Sequence, residues 1–163
     1  MLQRVPGCRF VVCGGGELGR EVERSIEPVR DSFHLLGWRR DVETVYAAAD
    51  VVVLTSDNEG TPLTLIEAGM TGTPVVSTRV GSVAEIVRDG HTGLLASADV
   101  GELAAHTVRL LFDPGLARRM GESALYWTTT SFGVERLVAD TEALYRSLCG
   151  ARGSRPVAEG TLR

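Results

Sequence analysis

The sequence contains no lysine: all 17 of its basic residues are arginine. That removes Schiff-base lysines and lysine acid/base chemistry. It also removes the Gly-Lys-Ser/Thr phosphate loop, which excludes a Walker-type nucleoside triphosphatase. Cysteine is scarce as well. Cys8, Cys13 and Cys149 are an odd, scattered set, which is not a disulfide framework. His34, His91 and His106 do not cluster with them as a zinc site requires. Free thiols suit a reducing compartment. No apolar run approaches the ~20 residues of a membrane span, and the N-terminus lacks the pattern of a signal peptide. A cytoplasmic location is therefore expected, with peripheral membrane contact left open. Positive charge is also short. A formal net charge of −4 excludes a strongly basic nucleic-acid module, and no nucleic-acid partner is expected.

What is present fits a folded chain. Its 163 residues, 44% hydrophobic and 23% charged, are enough for one domain with a real core. The pattern along it alternates. Phe10 to Cys13 reads as a strand, followed by Gly14-Gly15-Gly16 and a helix from about Glu17 with Leu18, Val22 and Ile26 on one face, broken or ended by Pro28. Phe33 to Leu36 reads as a second strand, with His34 a core histidine. Asp41 is placed to cap a short helix over Val42, Val45 and Tyr46. Val51 to Leu54 is an unbroken apolar run, as in a parallel strand buried on both faces.

A polar loop from Thr55 to Gly60 then leads to a helix beginning at Pro62, with Leu63, Ile66 and Met70 on its inner face and Gly72 at its end. Pro74 to Ser77 and Leu94-Leu95 read as further strands, with a short helix over Val83 to Val87 between them. From Asp99 the pattern is helical. Leu103, Val108 and Leu111 mark one helix, and Asp113-Pro114 starts the next. A last helix over Val134 to Leu148 is expected to bury Leu137, Val138, Thr141, Leu144, Tyr145 and Leu148. Residues 150–163 read as a disordered tail after a domain over 1–149. Strands alternating with helices predict a doubly wound α/β fold, whose ligands bind beyond the C-terminal ends of the strands.

Three loops leave those ends. Gly14-x-Gly16-x-x-Gly19 matches the dinucleotide fingerprint, but no carboxylate ends the next strand, Leu36-Gly37-Trp38; Asp31 and Asp41 fall before and after it. An NAD-binding Rossmann protein is thus a weak alternative, beside a tight glycine turn with a structural role. The loop Ser56-Asp57-Asn58-Glu59-Gly60-Thr61-Pro62-Leu63-Thr64 says more. The free N–H groups of Thr61, Leu63 and Thr64 at a helix start favour a phosphate. Glu59 and Glu67 can accept hydrogen bonds from hydroxyls on either side of it, or else be a solvated loop carboxylate and a helix ion pair. The third loop, Thr78 to Glu85, holds Gly81 and Ser82.

The segment from Glu59 through Glu67 to Val76, EGTPLTLIEAGMTGTPVV, resembles the signature of the retaining group 1 (GT4) glycosyltransferases of GT-B fold. Arg40-Asp41-Val42 with Tyr46 to Val51, Gly81-Ser82 with Glu85 to Leu95, and Asp113-Pro114 with Arg119-Met120-Gly121 resemble its flanking segments in order, over Phe10 to Leu148. The resemblance implies a truncated, Rossmann-like three-layer C-terminal lobe that binds a nucleotide-sugar donor, a UDP- or GDP-sugar, without a cofactor or metal. By it, Glu67 bonds the ribose hydroxyls. Glu59, the candidate catalytic residue, meets hydroxyls of the sugar. Gly60, Thr61, Pro62, Leu63 and Thr64 surround the sugar and diphosphate, Pro62 without an N–H. Gly14, Gly15 and Gly16 lie near the nucleotide, and Trp38 and Arg39 border the base or form a surface rim.

The family mechanism is a front-side displacement with retention, its acceptor (a sugar, lipid or small molecule) held by a separate N-terminal domain. By the resemblance, that domain and the first strand and loop of the donor lobe, with the family's phosphate-binding Arg and Lys, are expected to lie outside these residues. Isolated, the chain is expected to bind nucleotide weakly and to transfer nothing, or to be an inactive nucleotide-sugar-binding or scaffold fragment. An exposed sheet edge or apolar surface is expected with it. Ser82 stands where the family has a second glycine and is expected to narrow its loop.

Overall fold

The computed structural model describes residues 1–152, and its contacts divide the chain into two units, Met1–Thr128 and Thr129–Arg163. The first unit alternates strands and helices: β1 (Phe10–Cys13), α1 (Gly19–Ile26), β2 (Phe33–Gly37), α2 (Val42–Ala48), β3 (Val52–Leu54), α3 (Leu63–Met70), β4 (Val75–Thr78), α4 (Val83–Ile86), β5 (Gly93–Ala96) and α5 (Val100–Phe112). α6 (Pro114–Phe132) and α7 (Val134–Arg152) follow. All strand pairings are parallel and fall into two sheets, β1–β2 and β3–β4–β5. This is the expected α/β architecture.

The centre of the fold is β4. It lies between β3 and β5, and both β4 and β5 are buried along their whole length, as a parallel strand covered on both faces must be. Val76 packs with Leu94, Ala96, Leu103, Leu110 and Met120 in one apolar cluster, which joins β4 and β5 to α5 and α6. α6 approaches α3 through small residues. A Cβ on Gly121 would lie 2.0 Å from the Gly72 carbonyl oxygen, and a Cβ on Gly69 would lie 2.5 Å from the Thr128 methyl. The cap expected at Asp113 is formed, its carboxylate accepting from the Leu116 N–H at 2.8 Å.

Several faces differ from expectation. On α1 only Ile26 is buried, while Leu18 and Val22 are exposed. α1 itself stops at Ile26, two residues before Pro28 as expected, and a 3-10 segment over Glu27–Ser32 follows it. His34 is exposed, because it alternates with the half-buried Phe33 and Leu35 along β2. In β3 Val53 is exposed, so this strand is not covered on both faces. Val11, Val12 and Leu36 are exposed as well, an apolar surface on the β1–β2 ladder.

Pro62 caps α3 from outside instead of opening it. The helix buries Leu65, Ile66, Ala68 and Gly69, leaving Leu63 and Met70 exposed. On α5 the buried positions are Leu103, Thr107 and Leu110.

In the second unit, α7 carries the ion pairs Arg136–Asp140 and Glu142–Arg146, each spaced to support a helix by itself. The six positions expected to be buried on it are all exposed, since no other element of that unit covers them among the described residues. α7 reaches Arg152, three residues into the expected tail, and 153–163 lie outside the described residues.

Candidate functional site

The C-terminal ends of β1, β2 and β3 lead into the residues singled out by the sequence. After β1, the Gly14 N–H donates to the Gly37 carbonyl at 2.7 Å, which ties the Gly14–Gly16 turn to the end of β2. Trp38, 84% exposed, lies with its indole over Gly15, where a Cβ would be 3.1 Å from Nε1. Arg39 does not reach out alone. Its Nε and Nη2 donate to the two carboxylate oxygens of Asp41 at 2.9 and 2.6 Å. The pairing raises the Arg39 pKa and holds the Asp41 carboxyl below its ordinary value. It also explains why Asp41, expected to cap α2, makes no side-chain cap bond there.

The β3–α3 loop is held from the other side by the segment after β4. The Thr78 hydroxyl donates to the Ser56 carbonyl at 2.6 Å, and the Ser82 hydroxyl donates to the Gly60 carbonyl. Between them Gly81, at φ +49°, lies against the Glu59 backbone so closely that a Cβ would be 1.7 Å from its carbonyl oxygen. Ser82 thus adds a hydrogen bond to the loop where the absence of a glycine was expected only to narrow it. Glu59 is half-buried within this clamp. Thr61 is exposed and Pro62 buried. Leu63 and Thr64 open α3, so their N–H groups have no carbonyl one turn back and face out of the helix end.

Glu67, half-buried on α3, receives a hydrogen bond from the Tyr46 hydroxyl at 3.1 Å on Oε2. Burial pushes the Tyr46 phenol above its ordinary pKa, and the Glu67 carboxylate, which accepts its hydrogen bond, raises it further. The phenol therefore stays protonated and a donor at neutral pH. Tyr46 on α2 thus meets Glu67 one turn beyond the Leu63–Thr64 start of α3. Glu59 and Gly60 belong to the clamped loop that runs into the same helix start.

Two kinds of residue escaped the sequence. Tyr46 read as an apolar helix position and as part of a flanking segment, with no role given to its hydroxyl, although a tyrosine on a buried face needs a partner for that group, and that was the available signal. Thr78 and the Ser82 hydroxyl act on main-chain carbonyls 22 residues away and left no local signal. Asp31 is exposed and Asp41 is committed to Arg39, so neither candidate acid stands free for an NAD ribose. Among the described residues no group of three His, Cys, Asp or Glu is placed to hold a metal. No helix there is long and apolar enough to cross a membrane.

A parallel α/β fold with this loop and helix at its strand ends is that of the GT-B glycosyltransferases. The family described as glycosyl transferases group 1 matches residues 1–113, and the chain belongs to it. Over 118 residues it is 34% identical to the N-acetyl-alpha-D-glucosaminyl L-malate synthase of Bacillus anthracis, covering 72% of this chain and 31% of that protein. It thus spans about a third of that curated relative's length. Among solved structures, the sucrose-phosphate synthase of Thermosynechococcus elongatus superposes at a TM-score of 0.81 with 30% identity, over 86% of this chain and 38% of that one. The Anabaena protein HepE, in complex with UDP, superposes at 0.76 with 22% identity, over 87% of this chain and 43% of that one.

Proposed function

We propose that this chain forms the donor-binding lobe of a retaining group 1 glycosyltransferase, which takes its sugar from a UDP- or GDP-sugar in the cytoplasm and passes it to an acceptor held by another domain. The observation that carries the reading is the Glu67 carboxylate, held on one oxygen by Tyr46 beside the open N-terminus of α3. A carboxylate accepts from hydroxyls and repels phosphate, so Glu67 takes the ribose while the amides of Leu63 and Thr64 take the diphosphate. Glu59, in the loop ahead of them, meets the sugar. The UDP in the HepE structure supports a nucleotide as the ligand.

In this reading the leaving diphosphate is stabilised by fixed amide dipoles that need no reorganisation as charge develops. Transfer depends on holding donor and acceptor together, and in this reading the acceptor is held elsewhere, so alone the chain binds donor without transferring it. Turnover by the isolated chain, assayed with radiolabelled UDP- and GDP-sugars, is expected to be nil, and measurable transfer overturns that part.

Glu67→Ala is expected to weaken nucleotide binding by about 1.5–3 kcal/mol, the worth of a charge-assisted hydrogen bond. Calorimetric titration with UDP and GDP checks it, and an unchanged dissociation constant shows that Glu67 does not hold the ribose. Glu59→Ala is expected to weaken binding of the intact nucleotide sugar while leaving the bare nucleoside diphosphate within about twofold, since only the former carries the hydroxyls it would meet. Equal losses for both ligands contradict the sugar contact. The first measurement to make is a thermal-shift screen over nucleoside diphosphates and their sugars, which identifies the preferred donor.

A further inference from the structure

We propose that Tyr46 is the positioning residue for Glu67: its hydroxyl fixes the rotamer that turns the second carboxylate oxygen towards the vicinal diol of the donor ribose. The inference rests on the donor-site reading above and assigns a task to a residue that does not itself touch the ligand.

Two observations carry it. First, the two oxygens of Glu67 are in different situations. Oε2 accepts from Tyr46 at 3.1 Å, whereas Oε1 has no partner among the described residues and, since no unpartnered side-chain oxygen there is buried, it reaches solvent. An ionised carboxylate has only acceptor sites, so the group that meets Oε1 must be a donor, which a ribose diol is and a phosphate is not.

Second, Tyr46 is itself held. It is 9% exposed, and its main-chain carbonyl accepts from the Thr73 hydroxyl at 2.8 Å. The Thr71 hydroxyl lies 3.0 Å from that of Thr73 and donates at 2.8 Å to the carbonyl of Ala68, one residue beyond Glu67. The end of α2 is thereby tied to the end of α3, and the phenol meets Glu67 from a fixed support. A glutamate on a half-exposed helix samples several rotamers, and one already held loses less freedom when a ligand arrives.

The test is a comparison of two ligands on two proteins. The full 163-residue chain and its Tyr46→Phe variant are titrated with UDP and with 2′,3′-dideoxy-UDP, or with the guanosine pair if GDP binds more tightly. The dideoxy ligand lacks only the hydroxyls that Glu67 would bind. The native chain is expected to favour UDP by about tenfold. In Tyr46→Phe the preference is expected to fall to about two- or threefold, while affinity for the dideoxy ligand is unchanged, which also shows that the variant is folded.

If Tyr46→Phe weakens both ligands equally and keeps the tenfold preference, Tyr46 is structural and the inference is wrong. A native chain that binds both ligands equally removes the ribose role of Glu67, and with it this inference. A native chain that binds neither overturns the donor reading itself.

Discussion

Gly81→Ala is expected to cost about 3 kcal/mol of stability and to abolish nucleotide-sugar binding. Two effects combine. Gly81 has φ +49°, where a residue with a Cβ is disfavoured by about 1–2 kcal/mol. The added methyl would also lie 1.7 Å from the Glu59 carbonyl oxygen and 2.8 Å from its carbon, both backbone atoms that no side-chain rotation can clear. The β3–α3 loop must therefore move, which breaks the Ser82–Gly60 hydrogen bond and displaces Glu59. Gly90 separates the two effects. It has φ +77° but nothing within 4 Å of a Cβ, so Gly90→Ala should cost only the backbone part, about 1 kcal/mol, and leave binding intact. Denaturant unfolding gives the stabilities and thermal shift with nucleotide sugar gives the binding. Equal behaviour of the two variants would show that the contact with Glu59 does not hold the loop.

Gly121→Ala is expected to lower the melting temperature by roughly 6–12 °C, from a loss of about 3 kcal/mol. Here the backbone is helical and the whole effect is steric. The new methyl would meet the Gly72 carbonyl oxygen at 2.0 Å and its carbon at 3.0 Å, with the Pro74 ring at 3.5 Å, so α6 has to lift from the turn between α3 and β4. Met120, buried in the main apolar cluster, is the adjacent residue, and its packing is lost with the shift. Gly115→Ala, on the exposed first turn of the same helix with its nearest contacts at 3.4 Å, should be neutral or slightly stabilising because alanine is the better helix former. A melting temperature for Gly121→Ala within a degree or two of the native value would mean that α6 does not approach this turn closely.

The strands and the signature loop were legible because their signals are local. β1 spans the expected residues, and β4 and β5 lie within a residue or two of their apolar runs, since buried parallel strands need such runs. The helix start at Leu63 was legible for the same reason, with Pro62 just before it. The buried face of α3 was not. Hydrophobic spacing chose Leu63, Ile66 and Met70, whereas the fold buries Leu65, Ala68 and Gly69 beside Ile66. Gly69 is inside because Thr128 of α6 comes close to it, and a position chosen by the approach of another helix carries no hydrophobic signal of its own. α7 shows the converse: its apolar residues follow a clear helical pattern, yet that pattern does not say what they pack against.

By itself the sequence determined the order of strands and helices, the positions of Glu59 and Glu67 around a helix start, and the family. Each of these follows from short-range rules: the alternation of apolar runs, the geometry of a proline at a helix start, and a motif contiguous in the chain. Only the tertiary structure decided how that motif is held. Tyr46 meets Glu67 across 21 residues, and Thr78 and Ser82 grip the loop across 22. These partners are set by the packing of α2 against α3 and by the turn after β4, and chain folding alone brings such distant residues within hydrogen-bonding reach.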